Sequence, residues 1–113
     1  MKTSKTAGGL RDFTYSGDLR SGFIIHFGSS NLVLPAGLFT ASLEKFRGKT
    51  VMGGFNMVTP PVDGFGHFVR AYGRTHLERT ISPRYASHVA AILRDEELVT
   101  ITKDGRSVVL TFL

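Results

Sequence analysis

The sequence predicts a small α+β fold, in which helices pack on short antiparallel strands. Large apolar residues occupy alternate positions from residue 23 to 27, as expected of a strand with one buried face. Further along, apolar residues recur at helical spacing in three stretches, near 36–47, 64–72 and 83–95. Two apolar runs at the end, 98–102 and 107–112, flank an Asp-Gly dipeptide that favours a β-hairpin.

The residue pattern of the N-terminal third predicts strands and no helix. Residues 1–9 are small or polar and end in Gly-Gly, so we expect a mobile tail followed by one α+β domain over residues 10–113. Residues 10–15 fit a strand, 16–18 (Ser-Gly-Asp) a turn, and 23–27 and 32–34 two further strands. We therefore expect an N-terminal β-hairpin or meander. Residues 50–52 fit one more short strand.

The first two helices are predicted from their apolar faces and end signals. Pro35 opens the first helix, Gly48 ends it, and the expected buried side chains are Leu38, Phe39, Leu43 and Phe46. In the second helix Asp63 can cap the start and Gly73 can end it, and the expected buried side chains are Phe65, Phe68, Val69 and Tyr72. Residues 75–79 could add a short helical turn.

The third helix and the hairpin form the best-patterned unit of the chain. Ser82 is a good N-cap, and Pro83 fits the first helical position because its missing N–H is not needed there. Burying Tyr85, Val89, Ile92 and Leu93 leaves Arg84, Ser87, His88 and Ala91 on the outer face. With Asp104 and Gly105 as turn residues, the expected pairs are Lys103 with Arg106, Ile101 with Val108, and Val99 with Leu110.

Composition limits the class of protein. The net charge of +5 and a pI near 10.0 favour polyanionic partners. Five arginines but only one acid lie between residues 64 and 94. The absence of cysteine excludes disulfides, thiolate nucleophiles and cysteine metal sites. The start lacks the apolar segment of a signal peptide, and no apolar run reaches a membrane span, so we expect a cytoplasmic protein without membrane contact.

Residues 81–113 resemble the recognition helix and wing of winged helix-turn-helix DNA-binding domains. The resemblance rests on the run from Ser82 through ASHVAAILRDEELVTITKDGRSVVLTF. It implies that residues early in the helix, Arg84, Ser87 and His88, contact bases, and that the wing tip, Lys103 and Arg106, contacts phosphate. Arg74 and Arg79 extend the basic surface. The predicted function is therefore DNA binding, as in a small regulator. The alternative is a packing unit whose basic face is only solvated.

A second functional hypothesis uses the loop-rich segment 52–68. Large apolar residues lie there among glycines and prolines, including Phe55, Met57 and Phe65. Either this loop folds over the core, or it presents an apolar surface to a protein partner or to a second copy of the chain. The second reading describes a protein-protein interaction or inhibitory module that does not bind nucleic acid.

Catalytic, metal and cofactor sites are not predicted. No nucleophile motif stands out, and no two histidines have the i, i+4 spacing of a helical metal site. His67, His76 and His88 could serve acid–base chemistry because imidazole titrates near neutrality. Histidines with ordinary surface or core partners are the simpler interpretation.

Overall fold

A computed structural model describes residues 1–56, 58–105 and 107–113 and confirms the predicted α+β fold. The strands are β1 (Lys2–Lys5), β2 (Asp12–Asp18), β3 (Gly22–Phe27), β4 (Ser30–Leu34), β5 (Thr50–Met52), β6 (Val99–Asp104) and β7 (Ser107–Phe112). The helices are α1 (Ala36–Phe46), α2 (Phe65–His76) and α3 (Ala86–Asp95), the last preceded by a 3₁₀ turn, Pro83–Tyr85. Within the described part of the chain, no helix has both the length and the apolar character needed to cross a membrane.

The first four strands form an antiparallel sheet in the order β1-β2-β3-β4. The expectation of a mobile tail was wrong for Lys2–Lys5, which pairs with β2 as an edge strand. This strand has no alternating apolar pattern and is instead held by polar side-chain contacts. Lys5 Nζ lies 2.9 Å from Asp12 Oδ1, and the Arg94 guanidinium donates to Ser4 Oγ at 3.1 Å and to the Lys5 carbonyl at 2.9 Å.

The turn between β2 and β3 lies later than predicted. Residues 16–18 continue β2, and the chain reverses over 19–21. The Asp18 carboxylate accepts hydrogen bonds from the Ser21 hydroxyl, the Ser21 N–H and the Arg20 N–H, which lower the pKa of Asp18. Asp18 is thus the last residue of β2, and its carboxylate stabilises the turn that follows instead of lying at the centre of that turn.

The remaining strands form a second antiparallel sheet in the order β5-β7-β6. The hairpin was predicted correctly but its register was wrong, because Asp104 pairs with Ser107 and Ile101 pairs with Leu110. Gly105, with φ of 63°, therefore follows the last paired residue instead of lying second in the turn. The observed register differs from the predicted one by two residues. Because side chains alternate between the two faces of a strand, the apolar side chains still share one face. The predicted pairing of Arg106 lies outside the described residues.

Helix α3 is the centre of the fold. Every residue from 86 to 93 is buried. On one side, the His88 ring lies 4.8 Å from that of Phe13 in β2. On another, the helix packs against β6 and α2. The predicted start, with Ser82 as the cap, is confirmed, since its Oγ accepts from the Arg84 N–H. The predicted outer face was wrong for Ser87, His88 and Ala91, because two sheets enclose a helix expected to have only one apolar stripe.

Helices α1 and α2 meet in an aromatic cluster formed by Phe46, Phe65, Phe68 and Phe112. Helix α1 ends before Gly48 as predicted, and Gly48 has φ of 72°. The prediction that Gly73 ends α2 was wrong, since the helix continues to His76. Gly73 is instead a contact point, because a Cβ there would lie 2.8 Å from the Arg79 carbonyl oxygen. No separate helix follows at 75–79.

Candidate functional site

A cleft of about 460 Å³ opens where three distant segments meet. The segments are the β1–β2 connection, the loop after β5 and the start of α3. The lining residues are Thr6, Gly8, Leu10, Arg11, Phe55, Arg84, Ser87 and His88. Two of them are arginines and none is acidic, so the described wall of the cleft has a net positive charge. The structure thus unites Arg84, Ser87 and His88, proposed for DNA, with Phe55, proposed for a protein partner.

The β1–β2 connection is fixed against α3 by backbone hydrogen bonds. The Ala7 N–H donates to the Ser87 carbonyl at 3.1 Å, and the Thr6 N–H donates to the Arg11 carbonyl at 2.9 Å. Ala7 is buried, whereas Leu10 and Arg11 are exposed. This connection therefore holds the exposed Arg11 on an anchored loop beside the cleft.

The start of α3 supplies the other cation and the floor of the cleft. The exposed Arg84 guanidinium lies 5.3 Å from the centre of the Tyr85 ring, a distance at which a cation is attracted to an aromatic face. Ser87 Oγ donates to the Arg84 carbonyl at 2.9 Å. The Ser87 hydroxyl is consequently bonded within its own helical turn, and Arg84 is the exposed, charged group of this wall.

His88 forms an apolar part of the floor. Its side chain is 8% exposed and contacts the rings of Phe13, Phe27 and Tyr85. Burial lowers the pKa of His88 from 6.5 to about 4, and the charges of Arg84 and Arg11 act in the same direction. The imidazole is therefore neutral at pH 7, and the positive charge of the cleft comes from the two arginines.

Phe55 is positioned by Gly53, which two backbone hydrogen bonds hold in place. The Gly53 N–H donates to the Val108 carbonyl in β7, and the Gly66 N–H of α2 donates to the Gly53 carbonyl, both at 2.8 Å. A Cβ at Gly53 would lie 2.7 Å from the Phe55 ring, so only glycine allows the ring to fold back in this way. Phe55 is half-buried and presents part of its ring to the cleft.

Lys103 lies next to the cleft, although it does not line it. Its Nζ would be 3.6 Å from a Cβ placed on Gly9, in the connection that carries Arg11. The end of the β6–β7 hairpin thus approaches the same loop as the start of α3. A third cation borders the site.

The other predicted site residues lie elsewhere. Arg74 is exposed in the last turn of α2, and the Arg79 guanidinium donates to the Val33 carbonyl at the edge of β4; neither lines the cleft. Phe65 is completely buried in the aromatic cluster, so its assignment as a partner contact was wrong. Met57 and Arg106 lie outside the described residues.

Sequence reasoning missed Arg11 because it was assigned to the region following a mobile tail. A separation of 73 positions divides it from Arg84, and the two line one cleft because β1 pairs with β2 and the Ala7 N–H bonds to the Ser87 carbonyl. The Lys-Thr-Ser-Lys sequence of β1 has no apolar alternation that would predict this strand.

Comparison of the chain with protein-family models, curated proteins and solved structures found no match.

Proposed function

We propose that this protein binds single-stranded nucleic acid in the cleft between the β1–β2 connection, Phe55 and the start of α3. The observation that carries the proposal is the placement of Arg11 and Arg84 around a partly exposed aromatic ring. Proteins that bind single strands combine cations for the phosphates with aromatic rings on which bases stack. Arg11, Arg84 and the neighbouring Lys103 take the phosphate role, and Phe55 takes the stacking role.

The burial of α3 favours a single strand over a duplex. A recognition helix must expose side chains to enter the major groove, but residues 86 to 93 are buried. Arg84 precedes this helix and remains exposed. Of the basic surface expected from the sequence, Arg84 is thus retained, here as a phosphate contact. Insertion of α3 into the major groove of a duplex is not proposed.

Fluorescence anisotropy tests the proposal with a labelled single-stranded oligothymidine and a duplex of equal length. We expect affinity for the single strand to fall with added salt, because binding phosphates releases counterions. Removing Arg11 or Arg84 with alanine should weaken binding about tenfold, equivalent to about 1.4 kcal/mol. Phe55→Ala should also weaken it, since stacking contributes roughly 1–3 kcal/mol per base.

Arg74→Ala is the matched control, because it removes the same charge from an exposed site that does not line the cleft. We expect its affinity to stay within about twofold of the wild type, a difference below about 0.5 kcal/mol. Equal losses in Arg74→Ala and Arg84→Ala would mean that net charge alone drives binding. Absence of salt-dependent binding to either oligonucleotide would contradict the proposal itself.

A second candidate function is the binding of a protein partner, or of a second copy, through the apolar loop 52–68. Val58 is 81% exposed, Val62 75% and Met52 49%, although all three are large apolar residues. A groove of about 360 Å³ lies beside them, lined in part by Met52, Phe55 and Val108. Exposed apolar surface of this kind is typical of interaction sites.

Light scattering over a concentration series tests this alternative in the form of self-association. Val62→Asp should keep the protein monomeric if the wild type forms dimers through this loop, because a carboxylate cannot be buried there without a partner. Val33→Asn, at an exposed position on β4, is the control and should leave the dimer intact. A wild type that stays monomeric would remove the support for a homodimer.

A further inference from the structure

The outer face of the four-stranded sheet carries a line of three hydrogen-bonded side chains from three strands. Ser16 Oγ in β2 lies 3.0 Å from His26 Nε2 in β3, and His26 Nδ1 lies 3.1 Å from Asn31 Oδ1 in β4. His26 and Asn31 are direct cross-strand partners, whereas Ser16 lies diagonally from His26. None of these residues lines the cleft proposed for nucleic acid.

The hydrogen bonds fit one tautomer of the imidazole. Because the Asn31 Oδ1 atom can only accept, the tautomer of His26 that carries its proton on Nδ1 donates to it. In a neutral imidazole the other nitrogen, Nε2, then accepts, and the Ser16 hydroxyl is its donor. This is the arrangement that a serine nucleophile needs: a hydroxyl bonded to a base, and a base oriented by a third group.

We propose that Ser16, His26 and Asn31 form a nucleophilic site that reacts with small activated esters. Ser16 Oγ forms a bond to the acyl carbon, while its proton moves to His26 Nε2. The bond between the acyl carbon and the leaving oxygen breaks, and His26 gives its proton to that oxygen. Water then attacks the acyl-serine with His26 as base, the acid is released, and the proton returns to Ser16 Oγ. Asn31 holds the ring in the required tautomer.

The surroundings of Ser16 indicate an apolar acyl group. Ser16 pairs directly with Ile24, and Ile24 pairs with Val33, so the three side chains form a row on the outer face. Ile24 is 36% exposed and Val33 is 54% exposed. This row offers a short apolar surface beside the nucleophile. We therefore expect a butyrate ester to react faster than the acetate ester of the same phenol.

Labelling of the intact protein with a fluorophosphonate tests the site. In this reaction Ser16 Oγ bonds to phosphorus, fluoride leaves, and the hydroxyl proton passes to His26. Trypsin releases residues 12–20 as one peptide, in which Ser16 is the sole serine, so mass spectrometry can locate the label. Ser30 is an internal control, because its Oγ is exposed and donates to the Phe27 carbonyl instead of to an imidazole. We expect label on Ser16 and not on Ser30.

The variants separate a chemical role from a structural one. Ser16→Ala and His26→Gln should reduce labelling at residues 12–20, and hydrolysis of p-nitrophenyl butyrate, by about a hundredfold or more, the low end of general base catalysis. Asn31→Asp should raise both rates, because a carboxylate stabilises the imidazolium that forms, whereas Asn31→Ala should lower them. His67→Gln is the control for histidine background and should match the wild type. Equal labelling of Ser16 and Ser30, or unchanged rates in His26→Gln, would reduce the trio to a cross-strand hydrogen-bond line and overturn the proposal.

Discussion

The two faces of the four-stranded sheet each meet a histidine in a different environment: His88 of α3 packs against the inner face, and His26 of β3 lies on the outer face. On the inner face, the neighbour of His88 is the buried Phe13 ring, and the imidazole is enclosed by aromatic side chains. On the outer face, His26 is part-exposed and hydrogen-bonded to Ser16 and Asn31. Burial keeps His88 neutral and makes it part of the core, whereas partial exposure and polar partners are the basis for the chemistry proposed at His26. The type of side chain alone does not determine its role.

The largest expected effect comes from removing an inner-face ring. Phe13→Ala should lower the free energy of unfolding by about 3–5 kcal/mol, because it leaves a cavity between the sheet and His88. Thr14→Ala, one residue along on the outer face, should change it by no more than about 0.5 kcal/mol. Urea denaturation followed by circular dichroism measures both. Similar losses in the two variants would contradict the assignment of the faces.

The second effect is a dependence of stability on pH that originates at His88. Its pKa is about 4 in the folded protein and 6.5 in the unfolded chain. Between these values the unfolded chain binds a proton that the folded protein does not, so stability is retained above pH 6.5 and lost as the pH falls towards 4. The loss is on the order of 3 kcal/mol, at about 1.36 kcal/mol per pKa unit.

His88→Phe checks this assignment, since a phenyl ring keeps the aromatic contacts but cannot take up a proton. Its unfolding free energy should fall less between pH 6.5 and pH 4 than that of the wild type, as measured by urea titrations at each pH. Identical pH profiles for the two proteins would show that the acid sensitivity arises at other groups.

A smaller effect is expected where the inner face meets the end of α3. The Tyr15 hydroxyl donates to Asp95 Oδ2 at 3.0 Å, and burial together with this carboxylate raises the pKa of Tyr15. Tyr15→Phe removes the hydrogen bond and keeps the ring, so it should cost about 1 kcal/mol. Thermal unfolding can resolve such a change. A loss as large as that of Phe13→Ala would mean that the ring itself had moved.

The sequence predicted the elements of the fold better than their arrangement. Helices α1 and α3 and the C-terminal hairpin were foreseen because their caps, turn residues and apolar spacing are local signals. The strand β1 was missed because its stability comes from pairing with β2 and from Arg94, which lies 89 positions from Lys5. The prediction of an exposed face on α3 was wrong for a related reason. The spacing of apolar residues in the sequence shows one apolar stripe, but it does not show how many layers will cover the helix.

The candidate site was predicted in parts that only the fold could join. Arg84, Ser87, His88 and Phe55 were identified by residue type, although for two different functions. Arg11 could not be found, because nothing in its neighbourhood in the sequence relates it to Arg84. The line of Ser16, His26 and Asn31 was also beyond reach, since it depends on the registers of three strands. Local sequence patterns do not predict the contacts between residues that lie far apart in the sequence, and this site depends on such contacts.

A titration of ¹⁵N-labelled protein with oligothymidine, followed by amide chemical shifts, tests the central claim most directly. We expect the shifts to concentrate at residues 6–11, at Phe55 and at 84–88, and to diminish as salt is added. The amides of the outer sheet face, including those of Ser16 and His26, should stay in place. Shifts centred on that outer face, or no shifts at millimolar oligonucleotide, would contradict the assignment of the cleft as a nucleic-acid binding site.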